Sequence, residues 1–238
     1  MPAQQQALNV VCNKTLSRME TLNLNKKKLK LIKTLFWCLF WVLILVLLTW
    51  FIGKNIIKFS KGYKPENIGN SIWAYKFWFA GHITAGMIVL LTGPFQFNTW
   101  FRTNYLQSHR IIGYVYIFSS AIASIFLLVL LPNSLCIACR PSQSFVGVLW
   151  FVFIFIAWWT IRQKNIKAHK QFMARSYALA LYFVLARLID NIGLEKLFPN
   201  TTNESIRYAN SDWLAWLIPL MLVEAYHVWL PLLKSYRR

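Results

Sequence analysis

Six apolar runs, each long enough to cross a lipid bilayer, constrain this chain more than any other feature. They cover Leu35–Ile52, Ile72–Phe97, His109–Leu131, Ser144–Ile161, Phe172–Ile189 and Trp213–Leu233. A spanning helix needs about 20 predominantly apolar residues. Hydrocarbon leaves each backbone N–H and C=O no partner but the segment's own, so the runs predict helices. Composition agrees: 57% of the residues are hydrophobic and only 14% are charged, against about 45–50% and about 25% in soluble domains. The expected fold is all-α, an integral membrane bundle of six transmembrane helices. Residues 1–34 form a basic N-terminal segment and 35–52 an uncleaved signal anchor. Residues 72–233 form a five-helix core, with a polar outer loop at 190–212.

Charge sets the expected orientation. The chain carries 26 Lys+Arg against 7 Asp+Glu. These cations cluster between apolar runs and form no single stripe, which argues against nucleic acid as a partner. With both termini inside, sixteen fall on inner segments and eight on outer ones. The positive-inside rule therefore favours cytoplasmic termini. The expected partners are the bilayer itself and, at the basic segments, anionic lipid headgroups.

Ionisable residues within spans are the informative ones, because hydrocarbon penalises each unless it is paired or solvated. They are His82, Arg175, Arg187, Glu224 and His227, with His109 and His169 near the inner ends of their spans. Helical periodicity groups them. His82, Gly86, Gly93 and Gln96 share one face, and His109, Gly113, Tyr116, Ser120 and Ala123 a second. His169, Met173, Ser176, Ala180, Phe183 and Arg187 share a third. Small residues let membrane helices approach closely, so these faces are expected to look into the bundle. Glu224 and His227 lie one turn apart, while Arg187 and Asp190 are spaced to pair. The plain alternative makes His109 and His169 headgroup anchors. Cys136 and Cys139 have C-x-x-C spacing and are expected to form a local staple.

The blocks His82-x-x-x-Gly86…Gly93-Pro94-x-Gln96-Phe97, His109-Arg110-x-x-Gly113-x-x-Tyr116 and His169-x-x-x-Met173-x-Arg175-x-Tyr177-Ala178-Leu179 resemble a bacterial family of predicted membrane proteins, domain of unknown function 2306. The resemblance spans roughly residues 75–230, with Lys170 standing where the third block carries arginine. It implies a helical bundle in a bacterial inner membrane and supplies no activity.

Three active roles remain open alongside a purely structural or assembly role. The first is b-type haem binding and membrane electron transfer, with candidate ligands His109, His169, His82 and His227. His109 and His169 share a level. His82 has no histidine at its own level, so one haem fits and two stacked ones do not. The second role is a proton-coupled small-solute carrier using Glu224 and His227. The third is a lipid or quinone enzyme, or a metal site built from His109, His169, His227 and Glu224.

Overall fold

The computed structural model describes residues 75–134, 136–193 and 197–236, together with scattered positions between 27 and 49. Those scattered positions are helical. The rest of the expected basic segment and signal anchor, and the loop at 53–74, lie outside the described residues. From 75 onward the chain is helical, with no strand among the described residues.

The core is built from α1 (Lys76–Phe97), short α2 (Thr99–Asn104), α3 (Leu106–Leu130), α4 (Arg140–Arg162), α5 (Ile166–Ala180), α6 (Tyr182–Ile192), α7 (Glu204–Glu224) and α8 (Leu230–Ser235). A π-helical segment, Ala225–Trp229, joins α7 to α8. Among the described residues, five helical stretches are long and apolar enough to cross a membrane: Lys76–Phe97, Leu106–Asn133, Ile137–Arg162, Ile166–Ile189 and Glu204–Leu233.

Local chemistry explains where these helices begin. Asn165 accepts a hydrogen bond from the Ala168 N–H and caps α5. Asn203 caps α7 by accepting from Ser205 and Ile206 N–H. Such a cap satisfies N–H groups that have no intrahelical partner. Pro141 sits in the first turn of α4, where a missing N–H costs nothing. Glu204 adds negative charge at the positive end of the α7 dipole.

Two spans differ from expectation. The last span starts at Glu204, not Trp213, because Asn203 starts the helix and its polar first turns find partners in the bundle. The polar loop is shortened accordingly. The fifth span starts at Ile166, not Phe172, because Asn165 caps it there, and it is interrupted at Leu181, which separates α5 from α6.

α3 packs along α1 on one side and α4 on the other. α5 lies against α4, α7 and α1, and α7 also lies against α6. α5 is thus the central helix, burying Met173, Ser176 and the run Tyr177–Ala180. The bundle has two ends. The cystine end holds Cys136 and Cys139, the start of α4 and the start of α7. The histidine end holds His109, His169 and the α4–α5 turn.

α7 changes character along its length. Its buried residues, Ala209, Ser211, Asp212, Ala215 and Trp216, all lie in the first thirteen positions of the helix. The π segment buries none. In the apolar window of this span only 6% of residues are buried, against 28–39% in the other four. Its second half is therefore peripheral, on the outside of the core.

Candidate functional site

The interface of α1, α3 and α5 gathers the motif residues towards the histidine end. Pro94 has no N–H, so it cannot bond the Leu90 carbonyl one turn back. That carbonyl accepts instead from the Tyr177 hydroxyl on α5, at 3.3 Å. The Tyr177 ring occupies the space where a Cβ at Gly93 would stand, which is why position 93 has no side chain. A proline inside a membrane helix is tolerated when a neighbour supplies the missing donor, as here.

One turn further along α1, Gln96 is buried and its amide reaches the His109 carbonyl at 3.5 Å. Gly113 makes room, since a Cβ there would lie 3.2 Å from Gln96 Oε1. One turn further along the same face of α3, the buried Tyr116 hydroxyl hydrogen-bonds Ser176 Oγ at 2.9 Å. Thus Gly93-Pro94-x-Gln96, the His109…Tyr116 face and the Ser176-Tyr177 pair form one continuous contact.

The Tyr116–Ser176 bond fixes the register of the two histidines. His109 lies seven residues before Tyr116, and His169 seven before Ser176. Seven residues are nearly two helical turns, so each histidine repeats the face of its partner, about 10 Å nearer the membrane surface. α3 and α5 run in the same direction, so His109 and His169 stand at one level on facing sides. They are close enough to interact electrostatically, and Arg102 and Arg110 lie within the same range of His109.

Their ring nitrogens differ. His169 Nδ1 is 2.8 Å from the Ala157 carbonyl on α4. A carbonyl only accepts, so Nδ1 carries the proton and Nε2 keeps its lone pair. His109 Nδ1 is buried with no hydrogen-bond partner. A buried nitrogen left unpaired is costly and calls for a reason.

The other expected site residues do not join this pair. His82 donates Nδ1–H to the Ala123 carbonyl at 2.8 Å and sits edge-on to Phe183. Ala123 is fourteen residues along α3 from His109, or about 21 Å. His82 therefore belongs to the cystine half. His227 lies within electrostatic range of Arg175 and Glu224. Arg187 stands over the Phe183 ring at 5.6 Å. The Asp190 side chain, its expected partner, lies outside the described residues. The metal constellation drawn from His109, His169, His227 and Glu224 is not assembled. Among the described residues no three His, Cys, Asp or Glu side chains gather closely enough to hold a metal ion. The four are split between two separate helix interfaces.

Two features escaped the sequence reading. Arg175 and Glu224 form a bidentate ion pair, at 2.5 and 2.9 Å, joining α5 to the end of α7. Two opposite charges inside adjacent spans are a readable signal, because each shelters the other from hydrocarbon. At the cystine end, buried Asp212 accepts from Tyr182 Oη and from Gln143 Nε2, both at 3.0 Å. Trp216 Nε1 donates to Ser142 Oγ at 2.9 Å alongside. Cys136 and Cys139 are disulfide-bonded.

A family model described as "Predicted membrane protein (DUF2306)" matches residues 79–227, more than half of the chain. No curated protein and no solved structure matches it.

Proposed function

We propose, from the premise that the chain belongs to the DUF2306 family of predicted membrane proteins, that it binds one b-type haem between His109 and His169 and passes electrons across or along the membrane. The observation that carries this reading is the matched level of the two imidazoles, set by the Tyr116–Ser176 bond. The donor chemistry fits. His169 gives its Nδ1–H to a backbone carbonyl and leaves Nε2 for ligation, the usual outer support of a ligating histidine. His109 holds a buried nitrogen that no protein group satisfies. Arg102 and Arg110 lie near His109 and offer cations to the carboxylates that a haem carries. The bound group would supply a one-electron couple; the chain sets ligand orientation, burial and local charge.

In this reading both termini face the cytoplasm of a bacterial inner membrane, and the histidine end faces inward. The bias of lysine and arginine towards the inner segments supports that orientation.

The test is a visible spectrum of the purified protein, oxidised and dithionite-reduced, from cells supplied with haem. A Soret band that shifts on reduction is expected, and His109→Ala or His169→Ala removes it. A colourless preparation ends the proposal.

A second reading, a proton-coupled solute carrier, rests on the Arg175–Glu224 pair beside His227 and the π segment. π-helical turns recur at functional positions in helices. Under that reading Glu224→Gln abolishes uptake driven by a pH gradient in vesicles, with the haem spectrum untouched.

A further inference from the structure

A groove of about 690 Å³ opens between the first turns of α5 and the peripheral π segment with α8. Its size falls within the range of about 300–1,000 Å³ typical of small-molecule sites. One wall carries Lys167, Lys170 and Gln171; the other carries Tyr226, His227 and Leu230.

The groove has a physical origin. α7 has no buried residue after Trp216, and the Arg175–Glu224 pair ties its end back to α5. Beyond that tie the helix widens into its π turn, where Leu230 N–H bonds to the Ala225 carbonyl. Pro231 then withholds another N–H. The last span therefore leans on α5 at Glu224 and leaves a gap below it. His169 belongs to a different face of α5, the one carrying buried Met173 and Ser176.

Depth and charge limit what fits. Ile166, the first residue of its span, also lines the groove. The α4–α5 turn that ends at Asn165 therefore sits at headgroup level. The lining holds two lysines and no carboxylate. The nearby Glu224 is already held by both guanidinium bonds from Arg175. Tyr226 and Leu230 are exposed apolar surface on the facing wall. The gap is thus cationic, half apolar and level with the bilayer surface.

We propose that this groove is a binding site for an anionic phospholipid of the surrounding bilayer. The headgroup phosphate meets Lys167 and Lys170, Gln171 donates from its amide, and an acyl chain lies against Tyr226 and Leu230. The site is independent of the haem reading, because it uses neither His109 nor His169.

The experiment uses the full chain, delipidated in detergent, and native mass spectrometry. The probes are phosphatidylglycerol and phosphatidylcholine with identical acyl chains. The wild-type chain retains phosphatidylglycerol preferentially. Lys167→Gln with Lys170→Gln lowers that preference roughly thirtyfold, the equivalent of about 1 kcal/mol per surface cation. Gln171→Trp, which fills the gap while keeping both lysines, also lowers it. Arg162→Gln with Lys164→Gln, cations at the same level outside the groove, leaves it intact. An equal loss in that control pair means diffuse surface charge and overturns the site. Release of phosphatidylglycerol by excess inorganic phosphate alone overturns the lipid assignment. Unchanged preference in the lysine pair, with an unchanged melting temperature, overturns both.

Discussion

The two ends of this bundle are held together by different means. At the cystine end Asp212 pairs with Tyr182 and Gln143, and Trp216 with Ser142, across helices, while buried Arg140 Nε lacks a hydrogen-bond partner. At the histidine end Gln96 reaches His109 only at 3.5 Å, His109 Nδ1 has no partner, and α7 has moved off the core. A satisfied polar network in a low-dielectric setting rigidifies; an unsatisfied one marks where a molecule gave up stability for something else. The cystine end carries the denser network of cross-helix side-chain bonds, and the histidine end carries the site proposed above.

The largest effect should come where the two halves join. Arg175→Ala leaves Glu224 without its guanidinium partner at the edge of the bundle and should cost about 3 kcal/mol, read as a lower melting temperature in detergent. Replacing both partners, Arg175→Met with Glu224→Leu, should recover most of that loss. If the single variant melts like the wild type, the pair is not what anchors α7.

Next is the α1–α5 contact. Gly93→Ala places a methyl inside the Tyr177 ring and should cost about 1–3 kcal/mol. Adding Tyr177→Leu relieves the overlap but strands the Leu90 carbonyl, so recovery should be partial. Full recovery would mean that the hydroxyl bond to Leu90 carries no weight.

Smaller again, Tyr182→Phe removes one of the two side-chain donors described for Asp212, leaves Gln143 in place, and should cost about 0.5–1.5 kcal/mol. Under the haem proposal the visible spectrum should stay unchanged, because the change lies at the other end. A shifted Soret band in this variant would erase the distinction between the ends.

The smallest stability effect is expected at His109. Its Nδ1 makes no hydrogen bond, so His109→Ala should shift stability by less than about 1 kcal/mol, while removing the Soret band that the haem proposal expects. A large loss of stability instead would make His109 a packing residue of the scaffold.

Helical faces were legible because hydrocarbon selects for them. The stripe His109, Gly113, Tyr116, Ser120 and Ala123 is buried at Tyr116, Ser120 and Ala123. The stripe from His169 is buried at Met173, Ser176 and Ala180. Periodicity alone finds such faces, since it needs only the 100° step. It did not find the start of α7. Ser205, Arg207, Asn210 and Asp212 look like loop by composition, yet they belong to a capped helix with a buried polar face. Nor did it join Arg175 to Glu224, because nothing in one helix states which face of another it meets.

The sequence by itself determined that this chain is a helical membrane protein, where its apolar helices lie, and which sides of α3 and α5 turn inward. Those follow from short-range rules: bilayer thickness, hydrogen-bond closure within each helix, and side-chain period. Tertiary structure alone decided which contacts hold the histidines at their levels: Tyr116 with Ser176 for His109 and His169, and the Ala123 carbonyl for His82. It alone paired Pro94 with Tyr177 and opened the gap beside the π turn. These depend on the register between helices, which is set by contacts such as Tyr116–Ser176 between residues sixty positions apart.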